Sequence, residues 1–525
     1  MNAASLLALS PMLVLSAGCV AVMLSIAVRR SNLQTASITA LSMVLSLAAL
    51  VPVAMRPTMR VPPLFLLDGY FVFACALVLL SALAVLLLSV GYIGALQPGL
   101  KHVAGDPPEL AGSGHIAPVD EYYLLLLIAT LGAVVMLASD HFVTFFLGLE
   151  TLSVALLGLI AYPRHRLDAT EAAMKYLVLA GTSSAFLLFG IALIYAVNGS
   201  LSFVPAAPGP VAIAHASLYR LAALAFVLTG IGYKLSLVPF HMWAPDVYEG
   251  APAPSAAFVA VVSKLSVFTV LVRYFVSQPG NADPTALTAI AIFAVLSMIV
   301  GNLLALGQDN LKRLLAYSSI AHLGYLLVAF LSPHGFGIEA SSFYLAAYAV
   351  TTLGAFGVIT VLSNPRDIRD AGDLASYRGL FWRRPWLAGI LTMMLMSLAG
   401  IPPTMGFIAK TYVMVAGVGA GLTIPLAALV LGSVIGLYYY LRVIVVMVMP
   451  VQESAPLLPV SSGGGLAGSM TLAALAVVLL LLGLAPATLI PAIRRAAPEV
   501  TASAMRTATS AEKDARVQSM RAYAR

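Results

Sequence analysis

The chain has 525 residues, of which 61% are apolar and 9% charged, with a formal charge of +7 and a mean hydropathy of +0.98. Soluble domains carry about 25% charged residues; this composition cannot coat a water-facing surface, whereas lipid removes that requirement, so the chain reads as a polytopic membrane protein. At about 20 residues per spanning helix, the length holds roughly 12 to 15 spans and leaves little room for a separate domain outside the bilayer.

Residues 1–28 lack the basic leading segment of a cleaved signal peptide and read as the first span. Apolar runs of spanning length, bounded by Pro, Gly or charge, fall at 5–28, 33–55, 64–93, 121–138, 141–162, 171–196, 216–238, 252–276, 285–306, 310–332, 338–363, 384–416, 421–450 and 468–492, fourteen in all. The expected fold class is an all-α polytopic membrane protein of about 14 transmembrane helices. An even number places both termini on one side. With the N-terminus outside, the inner loops hold 13 basic residues, among them Arg29, Lys101, Arg164, Arg166, Lys312, Arg366, Arg369 and Arg442, against 4 outside, Arg56, Arg60, Arg220 and Arg273. The positive-inside bias therefore favours that orientation. Seven basic residues from Arg494 to Arg525 read as a solvated tail, which lies against the bias. Cys19 and Cys75 sit in separate apolar runs without the spacing of a zinc or iron–sulfur site, which excludes thiolate-bound redox cofactors.

An internal repeat is legible. Glu171-Ala172 and Tyr176-Leu177 open the sixth run, and Glu339-Ala340 and Tyr344-Leu345 open the eleventh with the same internal spacing. The seventh run passes through Lys234 to Pro239, and the twelfth breaks at Gly400-Ile401-Pro402-Pro403 before Lys410. Five crossings is an odd offset, so the two units have opposite orientation: an inverted-topology repeat with broken helices 7 and 12. Such breaks free backbone groups that lipid cannot satisfy, which points to a hydrated interior.

The chain has 21 arginines and 7 lysines, yet the cations inside the runs are the lysines Lys175, Lys234, Lys264 and Lys410. A buried lysine can lose its proton near neutral pH, whereas arginine effectively cannot. Each ammonium near the midplane costs on the order of 3 kcal/mol, so Lys234, Lys264 and Lys410 are too costly for a purely structural role. Lys175 lies four residues after Glu171, and a surface pair fits it as well as a buried site does. Glu150, alone in the middle of span 5, calls for a cationic partner, and Lys234 is the expected one. His322 in span 10 follows Glu150 by nearly the interval that separates Glu171 from Glu339, so it reads as the repeat counterpart of Glu150. It titrates near neutrality, although a lone histidine is also an ordinary core residue. The glycine run Gly463 to Gly465 lacks the strand–helix context of a nucleotide site.

The stretch Gly232-Tyr233-Lys234-Leu235-Ser236-Leu237-Val238-Pro239-Phe240-His241-Met242-Trp243-Ala244-Pro245-Asp246-Val247-Tyr248-Glu249-Gly250-Ala251-Pro252-Ala253-Pro254 carries a resemblance, as do Asn310-Leu311-Lys312-Arg313 through His322 and Gly400-Ile401-Pro402-Pro403 ahead of Lys410. They resemble the antiporter-like membrane subunits of the proton-pumping NADH:quinone oxidoreductases, respiratory complex I. The likeness covers roughly residues 120–450, and the loop after span 7 favours the N-type over the M- and L-types. Lysine at 410 agrees, since the M-type is expected to carry glutamate there, and the long lateral helix of the L-type has no room after span 14.

The resemblance implies two inverted five-helix repeats, spans 4–8 and 9–13. The division is then 1–120 (helices 1–3), 121–276 (first repeat), 285–450 (second repeat), 468–492 (helix 14) and 493–525 (basic polar tail). It maps a glutamate–lysine pair onto Glu150 and Lys234, a central lysine onto Lys264 and a terminal lysine onto Lys410. It implies that this chain holds no cofactor, with NAD, FMN, iron–sulfur clusters and quinone in partner subunits. Expected partners are the lipid bilayer and the M-, K- and J-type membrane subunits, with no nucleic acid; the expected location is the bacterial inner membrane. Two other readings stay open: a subunit of a multisubunit cation/proton antiporter, and a passive scaffold between membrane subunits.

Overall fold

Side chains of Asp68, His141, Asp283 and Asn310 cap the starts of four helices, and Gly199, Gly307 and Gly400 close three. The computed structural model describes residues 3–61, 64–96, 119–163, 166–203, 216–277, 283–332, 335–364, 370–450 and 465–496. Lys101, Arg164, Arg366 and Arg369 of the charge count, Gly463 and the tail from 497 onward lie outside the described residues.

A short α1 (Ala3–Ala8) leads into α2 (Ser10–Val28), α3 (Asn32–Ala54) and α4 (Gly69–Gly94). Asp68 caps α4 by accepting the Phe71 amide at 2.7 Å. The third span therefore starts at Gly69, and part of its expected opening is instead β2 (Phe65–Leu67), paired antiparallel with β1 (Met59–Val61). The first repeat comprises α5 (Glu121–Leu137), α6 (Phe142–Ile160), α7 (Leu167–Asn198), α8 (Ala216–Leu235), a connector α9 (Trp243–Gly250), and α10 (Ala253–Phe258) joined to α11 (Lys264–Ser277) by the π-helical turn Val259–Ser263. The second comprises α12 (Pro284–Leu306), α13 (Leu311–Phe330), α14 (Gly335–Leu362), a turn α15 (Leu380–Arg383), the half-helices α16 (Pro385–Ala399) and α17 (Met405–Gly419), and α18 (Thr423–Val448). The described chain closes with α19 (Gly465–Leu484) and α20 (Ile490–Ala496).

Among the described residues, twelve segments are long and apolar enough to cross a membrane. The 17-residue α5 and the broken pair α16 and α17, of 15 residues each, supply the other two of the fourteen crossings. The chain is a multi-pass membrane protein. Its centre is built from α10–α11, α13 and α14, whose residues are almost all buried. The outer helices keep apolar faces exposed, such as Val20, Met23 and Leu24 on α2 and Val178 and Phe189 on α7, as lipid or neighbouring subunits require. Successive loops alternate between two ends. Near the hairpin, Asp140 N donates to Leu64 O at 3.1 Å and Phe142 N to Leu201 O at 2.8 Å; Arg166, Lys312 and Asp370 gather at the opposite end.

Helix crossings fix the register of the repeat. A Cβ at Gly132 would lie 2.7 Å from Leu152 N and 2.8 Å from Gly148 O; one at Gly301 would lie 2.9 Å from Ala321 N and 3.0 Å from Tyr317 O. Each glycine thus meets the amide at i+20 and the carbonyl at i+16 on its partner helix, and the offset between the two glycines is 169. Under that register Glu150 corresponds to Ser319 and His322 to Ser153. This corrects the equation of His322 with Glu150: three residues are close to one helical turn, so the sequence finds the right face and only the crossing finds the right level.

Three other expectations change. Lys312, assigned to a loop, is 1% exposed in the first turn of α13, which Asn310 caps through the Lys312 and Arg313 amides. Arg273, assigned to an outer loop, is buried in an ion pair with Asp68 at 2.7 Å. Arg494 and Arg495 belong to α20, whose docking on α4 and α14 carries the helical chain past the expected start of the tail.

Candidate functional site

Lys234 sits where α8 stops. The Ser236 and Leu237 amides donate back to Tyr233 O and Gly232 O at 2.9 and 2.8 Å, and the Trp243 indole also donates to Tyr233 O at 2.9 Å. These bonds satisfy two of the carbonyls that the break frees. Lys234 is 5% exposed, and its Nζ donates to Ser153 Oγ on α6 at 2.7 Å. One turn back on α6, Glu150 accepts from Ser184 Oγ of α7 at 2.6 Å. The charges of Glu150 and Lys234 act on each other, yet no ion pair within 4.0 Å joins them among the described residues. The expected direct pair is therefore separated here, because each partner is held by a serine hydroxyl.

Lys264 follows the π-turn, a distortion that often marks functional positions. Its Nζ donates to Ser319 Oγ at 2.5 Å and faces the Tyr248 ring 5.5 Å from the centroid, within cation–π range. Tyr348 OH donates to the same Ser319 oxygen at 2.7 Å. His322 has both ring nitrogens engaged, Nδ1 with Tyr344 OH at 2.7 Å and Nε2 with Tyr440 OH at 3.2 Å; Tyr440 also bonds Ser318. A cavity of about 10 Å³ touches His322, Tyr344, Tyr348 and Ser397, about the size of one water. Lys410 is 7% exposed; its Nζ donates to Ala399 O at 2.9 Å, a carbonyl freed where α16 stops at Gly400 (φ +82°), and lies 5.2 Å from the Tyr325 ring centroid.

Lys175 does not join this buried set. It is 42% exposed and pairs with Glu171 at 2.8 Å and Asp246 at 2.7 Å, which settles for the surface pair. With Arg313, Glu249 and Asp168 it lines a cavity of about 190 Å³ at the end of the molecule that carries Lys312. Burial would raise the Asp246 carboxyl, but hydrogen bonds from Lys175 and Arg313 outweigh it and hold the group below its usual 3.8. A depressed carboxylate stabilises the fold above its unfolded pKa, and that contribution is lost as pH falls through the folded value. Lys175→Met removes one of the two cations, so acid destabilisation should begin at higher pH than in the wild type; thermal unfolding along a pH series checks this.

One cluster escaped the sequence. Asp370 bridges Lys312 Nζ at 2.8 Å and Arg166 Nη1 at 2.9 Å, and Tyr92 OH donates to it at 2.7 Å. Burial would raise the Asp370 carboxyl, but Lys312 and Arg166 hold it well below the usual range. Lys312 also donates to Ala251 O at 2.6 Å, so the cluster fastens the connector between α9 and α10. The local clue was an Asn310 cap two residues before a lysine; the partners lie 58 and 204 positions apart.

Two inverted bundles, each interrupted beside a buried lysine and joined by hydroxyl, phenol and imidazole groups, define the antiporter-like class of membrane proteins. A family model described as NADH:quinone oxidoreductase/Mrp antiporter, TM, matches residues 139–436. NADH-quinone oxidoreductase subunit N of Ectopseudomonas mendocina is 44% identical over 500 residues, covering 94% of this chain and 97% of that protein. A chain of respiratory complex I from Thermus thermophilus is 31% identical with a TM-score of 0.74, over 92% of this chain and 99% of its own length. A chain of the Mrp complex from a Dietzia species shares the fold, with a TM-score of 0.77 at 21% identity over 94% of this chain and 98% of its own length. The chain belongs to the NADH:quinone oxidoreductase/Mrp antiporter transmembrane family, with the N-type subunits of the oxidoreductase among its relatives.

Proposed function

We propose that this chain is an N-type, antiporter-like subunit of a proton-pumping NADH:quinone oxidoreductase in a bacterial inner membrane, and that it carries protons along Lys234, Lys264, His322 and Lys410. The observation that supports this best is the run of buried proton-carrying groups from Lys234 in one repeat to Lys410 in the other, with Ser319, Tyr348, Tyr344 and Tyr440 between them. NAD, FMN, iron–sulfur clusters and quinone belong to partner subunits on this reading, and M-, K- and J-type subunits cover its lateral faces. With the N-terminus outside, the cavity beside Lys175 is the inner mouth and Lys410 lies toward the outer side.

Glu150 is the switch. While it rests on Ser184 and Lys234 rests on Ser153, the amine lacks a counter-charge in direct contact and can release its proton along the axis toward Lys264. A signal from the quinone-reducing arm swings Glu150 toward Lys234, and proximity then holds a proton on the amine. Bringing a carboxylate to 4 Å of an ammonium is worth about 4 kcal/mol at an effective dielectric constant of 20. Moving one charge through 100 mV costs about 2.3 kcal/mol, so this single rearrangement is large enough. His322 suits the relay because its two nitrogens face different phenols and the ring can take a proton on one side and give it up on the other.

Lys234→Ala and Glu150→Ala are each expected to lose most NADH-driven proton pumping in vesicles while the complex still assembles. Unchanged pumping in an assembled complex would overturn the assignment, and sodium-dependent exchange without redox partners would favour a cation/proton antiporter instead.

A further inference from the structure

Glu339 is a buried carboxylate that the relay described above does not use. It is 7% exposed, near the start of α14, at the end of the molecule that the charge bias places outside. Its Oε2 accepts from Arg494 Nε of α20 at 2.9 Å, while its Oε1 is enclosed with no hydrogen-bond partner among the described residues. An enclosed oxygen left bare forfeits its hydration without replacement, a cost that Glu121 Oε2 of the Arg30 pair also bears. An oxygen that must receive a proton has reason to stay free.

Glu339 also lies beside the end of the axis. Tyr344, whose OH meets His322 Nδ1 at 2.7 Å, is five residues further along α14, about 7.5 Å at 1.5 Å per residue. Tyr412, two residues beyond Lys410, stands 5.8 and 5.4 Å from the Phe336 and Phe343 rings on either side of Glu339, within reach of the charges of Glu339 and Arg494. The opening Glu339-Ala340 with Tyr344 repeats Glu171-Ala172 with Tyr176, so Glu339 holds the place of Glu171. Glu171 is 67% exposed beside the cavity at the opposite end and pairs with Lys175 of its own helix. Inversion sends the equivalent position to the other side of the membrane, where Arg494 takes the part of the cation; that arginine is itself 67% exposed and in contact with solvent.

We infer that Glu339 is the proton-releasing carboxylate at the outer end of the axis, with Arg494 as the cation that holds it between transfers. The inference rests on the proton-translocating reading of the chain. The Lys410 ammonium breaks an N–H bond and becomes a neutral amine; the proton passes through water and forms an O–H bond at Glu339 Oε1. Neutralised, the carboxylic acid loosens its hold on Arg494. Loss of that proton to outer water restores the carboxylate and its ion pair.

The test uses the whole complex in proteoliposomes, with Glu339→Gln, Glu339→Asp, Arg494→Gln and Lys410→Gln, reading NADH oxidation, proton pumping and the amount of assembled complex. Glu339→Gln should assemble and pump about tenfold below wild type, close to Lys410→Gln, because an amide cannot take and return the proton. Glu339→Asp should restore much of the pumping. Arg494→Gln breaks the same ion pair but leaves the accepting oxygen, so its pumping should fall less than that of Glu339→Gln. Wild-type pumping by Glu339→Gln alongside failure of Lys410→Gln overturns the outer-carboxylate assignment and leaves the axis standing. Equal losses of assembly in Glu339→Gln and Arg494→Gln reduce the pair to an anchor for α20 and also overturn it. Normal pumping by both Glu339→Gln and Lys410→Gln removes the translocation reading itself.

Discussion

Replacing Asp370 by alanine is expected to destabilise the chain by about 3–5 kcal/mol, enough to deplete the assembled complex, because it strands two cations in a dry site. The Lys312 side chain is 1% exposed and that of Arg166 0%, and Asp370 is the carboxylate they share. Arg166 would keep Asp168 at 3.0 Å; Lys312 would keep the neutral Ala251 carbonyl and, among the described residues, no charge partner in direct contact. Asp370→Asn preserves the shape and one acceptor but removes the charge, so its loss should be smaller. Pairing Asp370→Leu with Lys312→Met removes a charge of each sign and should recover part of the stability, as apolar replacement of a whole buried pair commonly does. The peripheral pair Arg30–Glu121, with side chains 59% and 33% exposed, sets the contrast: Glu121→Gln should change stability by less than about 1 kcal/mol. Thermal unfolding in detergent and the yield of assembled complex measure all four. An Asp370→Ala chain as stable as the wild type would mean that water reaches the cluster and replaces the carboxylate.

Lys410→Arg is expected to leave assembly intact and to stop proton transfer through this subunit. A guanidinium can still donate to the Ala399 carbonyl and stack on Tyr325, so the contacts that hold Lys410 are largely kept. What changes is chemistry: arginine stays protonated under all working conditions, and a group that never releases its proton cannot hand one on. Lys410→His restores a group that titrates near neutrality and should recover part of the pumping if its shorter side chain reaches the same water. Vesicle acidification measured against NADH oxidation separates the two variants. Full pumping by Lys410→Arg in a normally assembled complex would show that the residue acts as a fixed charge.

The same contrast between local chemistry and contact across helices runs through the fold. Fourteen crossings, the breaks beside Lys234 and Lys410, and the opposite orientation of the repeats were legible because hydropathy, proline and glycine act within a few residues of where they stand. Hydroxyl partners were not legible. Ser153 reaches Lys234 from 81 positions away, Ser319 reaches Lys264 from 55, and Tyr440 reaches His322 from 118. Nothing in a window of spanning length distinguishes these side chains from ordinary serines and tyrosines of a membrane helix.

The lysines show where composition stops. From sequence, Lys175 looked like a member of a span and Lys312 like a loop charge; in the fold Lys175 is solvated between Glu171 and Asp246, and Lys312 is sealed against Asp370. Residue type and run length alone determined that this chain lies in lipid and carries amines in its interior, because burying 61% apolar residues around so few charges admits little else. Which amine is dry, which hydroxyl holds it, and which turn of α13 corresponds to which turn of α6 were decided only when the helices crossed, since the energy of a buried charge depends on atoms within a few ångströms and not on neighbours in the chain.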